Sequence, residues 1–303
     1  MKKVQTMPTI EQNRRSERQN IVNWILTLEQ RRQLLEARFD MFNDRVMNLI
    51  MSFITQHGLD EDGNPTAWRR RVSRQQLNDL RRQIDYVLAT DLTDNAKVEL
   101  SKLTTSSSLD SIDLLGIYIA LETIQLYNEI EIHIASTLSE TVEAEFNRQE
   151  TLINLDRQYI ENHLEDVIRD GLTRSGFSIN LWGLDQKELI SEVEQLARRA
   201  IRYGYSPRRT GEELSKLTKK GVYQATRLMR TEQAKVHAYS QVETYKAQGI
   251  RRFDLIVEPD ACQRCKDIAR GNPYNVDEAE VGVNMQPIHP NCRCSTVGIF
   301  DDI

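Results

Sequence analysis

From Ile21 the apolar positions of the chain step in fours and threes through Ile25, Leu28, Leu35, Phe39, Phe42, Val46, Leu49 and Phe53, with Arg32 interrupting. A near-3.5 repeat held this long predicts a helix of about five heptads, whose seam packs lengthwise on another long helix. Gly58 and the run Asp60 to Pro65 read as its stop. A second helix is predicted over 67–89. A short third one starts near Asp94, with Asp91, Thr93 and Asp94 as candidate caps. Beyond Thr104–Ser108 another long helical pattern begins near Asp110 and runs, with a break, toward Arg169. Gly171, Gly176 and Gly183 then crowd around Phe177, Ile179, Leu181 and Trp182, which predicts an ordered connector. After it the pattern predicts helices over 185–203, 211–217 and 220–248, with a turn at Gly204–Pro207 and a stop at Gly249. Short strands over 252–257 and 293–300 follow.

The fold class expected from this pattern is mainly α: an extended helical N-terminal region with long helices, plus a small C-terminal α+β unit closed by a Cys/His cluster. The domain boundary is placed at the glycine-rich connector. Residues 1–175 form a helical arm or bundle for protein contacts, and 176–303 form the second domain. A chain of 303 residues exceeds what one core usually fills. Its 13 Gly and 7 Pro fall below the average shares of roughly 7% and 5%, which excludes collagen-like and many-stranded barrel readings. The longest apolar run, Leu114 to Leu121, is far short of the roughly 20 residues that span a bilayer. No signal-peptide pattern follows Met1, so a soluble, unsecreted protein is expected.

The net charge of −5 hides a split, because residues 185–252 carry 15 Lys/Arg against 8 Asp/Glu. Screening limits each charge to a reach of about 8–10 Å, so an acidic chain can still present a basic face to phosphates. Arg198, Arg199, Arg202, Arg208, Arg209, Lys216, Lys219 and Lys220 surround one turn and are the candidate DNA-contacting residues. A solvated helix face is the plainer reading of the same run.

The cysteines carry the strongest chemical signal. Cys262-x-x-Cys265 is followed by His289-Pro290-Asn291-Cys292-Arg293-Cys294, which gives five candidate ligands for the four positions of a tetrahedral ion. Structural Zn2+ is the expected cofactor, and a site closed by four protein ligands would stabilise without catalysing. Reduced thiols packing a small core, disulfides, and a redox Cys-x-x-Cys are the other readings. A further signal is Glu232, which falls into the apolar stripe Val222, Ala225, Met229, Val236 and Tyr239 near Arg227, Arg230 and His237. An Arg–Glu pair orienting the helix is the plain reading. A general base with His237 or His289 nearby is the sharper one. Walker, nucleophile-elbow and dinucleotide motifs are absent from the sequence.

Taken together, Arg230-Thr231-Glu232, Gly249-Ile250, Asp260-Ala261-Cys262-Gln263-Arg264-Cys265 and Pro287-Ile288-His289-Pro290-Asn291-Cys292-Arg293-Cys294 resemble the phage Mu F-like minor head proteins, a head-morphogenesis family of tailed bacteriophages. The resemblance covers about 185–300. It implies a minor capsid protein made in the host cytoplasm, recruited to the procapsid through the portal protein or its capsid or scaffolding neighbours, and kept in the virion inside the head near the portal. Its implied partners include phage genomic DNA, bound without sequence preference, and some members are thought to leave with the genome. One departure is visible: the Asp-Gly pair that often follows the second cysteine is replaced by Lys266-Asp267-Ile268-Ala269-Arg270-Gly271. The resemblance brings no agreed chemistry, so the chain is read as more a structural protein than an enzyme. Two alternatives stand beside it: a nucleic-acid-modifying enzyme or nuclease using Glu232, Arg230 and His289, and a nonspecific DNA-binding protein.

Overall fold

The computed structural model describes residues 9–57, 70–103, 109–153, 158–159, 162–163, 165–167, 169 and 177–300. Helix α1 spans Ile10–His57 and buries Ile21, Leu28, Leu35, Phe39, Phe42, Val46 and Phe53 of the predicted seam, while Ile25 and Leu49 are half-buried and Ile50 is buried beside Leu49. The helix begins well before the seam does. Its first turns bury Asn13 and Glu17, so the packing face there is polar and carries no apolar period.

Helix α2, Arg74–Leu88, opens on a capping box between Ser73 and Gln76, and α3, Asp94–Ser101, is capped by the Thr93 side chain. Helix α4 spans Ser111–Ile153. The predicted stop over 58–65, the break at 104–108, the helical stretch 154–157 and the part of the connector at 171–176 lie outside the described residues. A π-helical segment, Ile179–Asp185, leads directly into α5, Gln186–Arg202. Where the pattern predicts separate helices over 211–217 and 220–248, the chain forms one continuous helix, α6, Pro207–Ala247. Gly221 lies within this helix, and a Cβ at that position would meet Phe39 Cε1 at 2.4 Å, so glycine lets the helix approach the Phe39 ring. Gly249, at φ 68, ends α6 in the left-handed conformation that an L side chain resists.

The chain forms two compact units, one of 1–31, 134–177 and 226–303 and the other of 32–133 and 178–225. In the second, Leu35, Phe39, Phe42, Val46 and Ile50 from α1 are buried along with Ile119, Ile124 and Tyr127 from α4 and Leu196 from α5. Trp182 lies 6.2 Å from the Tyr127 ring and donates its Nε1–H to Glu131 at 3.0 Å. Glu131 also accepts from Thr93 and Asn95, which ties α4 to the cap of α3.

The first unit contains a small antiparallel sheet of order β2-β1-β3, with β1 at Arg252–Ile256, β2 at Tyr274–Asn275 and β3 at Ser295–Ile299. Arg252 pairs with Ile299 and Ile256 with Ser295. A short helix, α7, covers Gln263–Ala269 between β1 and β2. One apolar cluster joins Ala238 and Tyr245 of α6 to Phe253, Val276 and Met285. A second one, around Leu255 and Ile288, encloses three of the cysteines. The mainly helical architecture with long N-terminal helices and a small C-terminal strand unit agrees with the sequence reading. Among the described residues, no helix is long and apolar enough to cross a membrane.

Candidate metal centre

Cys262 is the N-cap of α7, in extended backbone, and Cys265 sits in the first turn, buried against Leu255. The chain returns through β2 to Ile288, then turns tightly, with the Cys292 N–H donating to the His289 carbonyl at 3.1 Å. That turn places Asn291 at φ 64, a left-handed position that Asn tolerates better than most residues. The turn is fastened to α6: the Asn291 N–H donates to Thr231 Oγ1 at 3.4 Å, and Arg230 Nη1 lies 3.5 Å from Asn291 Oδ1. Arg293 pairs with Asp260 across the cluster. Cys294 leads directly into β3.

The two stretches of chain therefore converge. Cys262 Sγ lies 3.3 Å from His289 Nε2, and Cys265 Sγ lies 3.9 Å from Cys292 Sγ. The ligand atoms of Cys262, Cys265 and His289 all lie within 4.8 Å of one another, as do those of Cys265, Cys292 and Cys294. All four thiols are free, and 3.9 Å is far beyond the roughly 2.05 Å of a disulfide. Two ligands on a tetrahedral zinc at bond lengths of about 2.0–2.3 Å lie roughly 3.4–3.8 Å apart, so each close pair has about the spacing of two ligands on an ion, while the two triples share only Cys265 and would have to draw together to close one four-ligand site. Thiolate and imidazole donors in an apolar shell suit a soft divalent cation. Cys265 belongs to both triples, which leaves Cys292 and Cys294 competing for the fourth position.

The electrostatics support ion capture. The Cys294 thiol donates toward Cys292 and brings the Cys292 pKa down to about 5. The Cys265 N–H lowers Cys262 as well. Burial, reinforced by the Cys292 charge, pushes Cys265 up to about 12. Cys294 is raised, chiefly by its hydrogen bond to Cys292. The Pro290 carbonyl and the neighbouring sulfur charge raise His289. Thiols shifted toward the thiolate form and an imidazole from remote parts of the sequence thus face each other, and an ion entering between them would displace the protons that they hold.

The other predicted residues separate from this centre to differing degrees. Glu232 is buried on α6 and pairs with Lys235 at 2.8 Å, while Arg230 reaches Asn291 and His289 turns to Cys262. All eight candidate DNA-contacting residues are exposed. Arg208 pairs with Glu212 at 2.9 Å, Lys216 with Glu213 at 2.7 Å, and Lys220 with both Glu188 and Glu192. Arg198 lies 3.9 Å from Asp113, and with Arg199 and Arg202 it lines a surface cleft of about 410 Å³. Arg209 stacks over the Tyr205 ring at 3.7 Å.

A buried ion cluster escapes the sequence reading. Arg148 on α4 grips Glu145 through two nitrogens, at 2.8 and 2.7 Å, and reaches Glu17 of α1 at 2.6 Å. His237 of α6 places Nε2 3.1 Å from Glu145 and 3.7 Å from Glu17, and the Ser295 hydroxyl of β3 donates to Glu17. Burial alone would raise the Glu145 carboxyl, but Arg148 and His237 outweigh it and hold the group well below the usual carboxylate range. Burial likewise pushes His237 down, and the Glu145 carboxylate outweighs it, so the imidazole titrates above its ordinary value. The available signal was Glu17, which continues the seam one turn ahead of Ile21.

No curated protein and no solved structure matches the chain. Residues 191–297 match the model of the family described as Phage Mu protein F like protein. The matched stretch contains the Arg230-Thr231 anchor, both cysteine stretches and His289, which the structure brings together. The segment that builds the Cys/His centre is therefore similar to the family described as Phage Mu protein F like protein, in agreement with the resemblance of its motifs.

Proposed function

We propose that the protein is a minor head component of a tailed bacteriophage that acts in head assembly, associating with the portal protein and packaged DNA. The observation that carries this reading is the coincidence of the family match over 191–297 with the convergence of Cys262, Cys265, His289 and the Cys292–Cys294 pair. In this reading the ion is structural Zn2+, held by Cys262, Cys265, His289 and Cys292, the four residues that form the two close pairs. It would pin the His289–Cys292 turn, and with it Arg230 and Thr231 of α6, to the N-terminus of α7. Residues 1–175 supply protein contacts in the head, and the exposed basic residues from Arg198 to Lys220 face DNA phosphates. Co-expression with the portal protein tests the assignment. Co-purification of the two through gel filtration is expected, and their separate elution contradicts it. DNA contact predicts affinity that falls steeply with salt, and neutralising Arg199, Arg202 and Lys219 together should lower that slope. An unchanged slope would remove DNA from the reading.

A further inference from the structure

The turn between α5 and α6 lies wholly in the second unit and is fixed by its own backbone. The Tyr203 N–H donates to the Arg199 carbonyl and the Tyr205 N–H to the Ala200 carbonyl, both at 2.9 Å. Gly204 takes φ 60, and Pro207 opens α6 with its φ already set by the ring. This turn carries two tyrosines whose ring centroids lie 6.3 Å apart with planes 26° from parallel. The two rings differ in what covers them. Arg209 sits 3.7 Å from the Tyr205 centroid, and that side chain is half-buried. Arg202 stands 5.6 Å from the Tyr203 centroid, and Tyr203 is 63% exposed. Tyr203 is therefore the open ring of the pair, on a backbone that has no ordering left to do when a partner arrives.

The charges beside this ring decide what it suits. Tyr203 borders the open surface cleft together with Arg198, Arg199, Arg202, Asp110 and Asp113. Asp110 and Asp113 each accept from the other's backbone N–H at the start of α4, at 2.9 and 3.2 Å, and Asp113 lies 3.9 Å from Arg198. Arg199 and Arg202 are exposed and make no ion pair among the described residues. Three guanidiniums against two carboxylates leave one net positive charge, which is a weak trap for a polyanion. An exposed ion pair contributes at most about fivefold in affinity, whereas a base stacked on a protein ring contributes about 5- to 150-fold. Affinity at this cleft therefore depends on the ring more than on the charge. A duplex keeps its base faces inside the helix and offers none to such a ring, while an unpaired base does.

We propose that the turn between α5 and α6 is a stacking platform for single-stranded nucleic acid, in which an unpaired base lies on the Tyr203 ring and Arg199 and Arg202 meet the adjoining phosphates. The inference rests on the nucleic-acid reading of the basic segment and names the form of nucleic acid that it takes. The test uses the full chain and fluorescence anisotropy at low salt with labelled probes of about 12 nucleotides: a thymine strand, a uracil strand, a deoxyribose-phosphate strand without bases, and a duplex. The base-bearing strands are expected to bind at least about fivefold tighter than the base-free one, and the tighter of the two shows whether the platform serves DNA or RNA. Tyr203→Ala should remove that advantage while leaving the base-free strand and the duplex unchanged, and Tyr203→Phe, which keeps the ring, should retain it. Equal affinity for strands with and without bases overturns the platform and leaves phosphate contact standing. So does a Tyr203→Ala variant that binds the base-bearing strands like the wild type. Failure of every probe to bind removes nucleic acid from the reading, and the platform with it.

Discussion

Arg148→Met isolates the contribution of one buried charge. The guanidinium makes a two-nitrogen contact with Glu145 and a third bond to Glu17, and the side chains of both acids are at most 1% exposed. Methionine keeps much of the stem volume and removes the cation. Two carboxylates then face a single imidazolium, in surroundings that solvent barely screens. Removing one partner of such a buried pair costs about 3–5 kcal/mol. With a urea slope of about 1–3 kcal/mol/M, that corresponds to a midpoint lower by at least about 1 M. Trp24, stacked on His237, supplies a local fluorescence signal for the transition. The pH dependence carries a sign as well. Without Arg148 one carboxylate should bind a proton more readily, so the deficit should shrink as pH falls from 7 to 5. Arg148→Lys restores the charge but not the planar fork and should recover about half of the loss. A loss below about 1 kcal/mol at pH 7, or a deficit that grows on acidification, would refute the reasoning.

His237 titrates above its ordinary value, so its stabilisation is complete below about pH 6.5 and is lost as pH rises through the raised folded value. The stability difference between wild type and His237→Gln should therefore narrow on going alkaline, and a flat difference in urea midpoints from pH 6 to 9 would contradict this. Purified protein should contain close to one zinc per chain by atomic emission. Cys262→Ser and Cys292→Ser should lose it, and equal metal content in all three would dismiss the centre. Gly221→Ala places a methyl against the Phe39 ring and should cost about 1–3 kcal/mol, with Phe39→Leu in the same chain recovering a large part. A calorimetric Tm that Gly221→Ala leaves unchanged would show that the helix yields without cost.

The long helices were legible because a single apolar seam repeats without a competing signal from Ile21 to Phe53. The cysteine centre was legible for a different reason: thiol and imidazole spacing is chemistry that survives without knowledge of the fold. What the sequence concealed shares one cause, since polar residues in packed positions imitate solvent-facing ones. Asn13 and Glu17 read as surface and are buried against β3 through Gly298 and Ser295. Glu145 and Arg148 fall within a helix where charges are expected outside. The break expected between 217 and 220 is absent, and Gly221 beside it, which serves close approach to Phe39, looks the same in sequence as a glycine that ends a helix. Only long-range contact tells the two apart.

The bonds from Asn13, Arg14 and Glu17 to Gly298, Asp254 and Ser295 have a practical consequence for anyone cutting the gene. A fragment trimmed to the edges of the family match keeps His237 and Ser295 but discards Glu17, Glu145 and Arg148, stranding half of an ion cluster. During translation the same dependence makes the opening turns of the chain wait on the ribosome, since Glu17 emerges 278 residues before the serine that caps it.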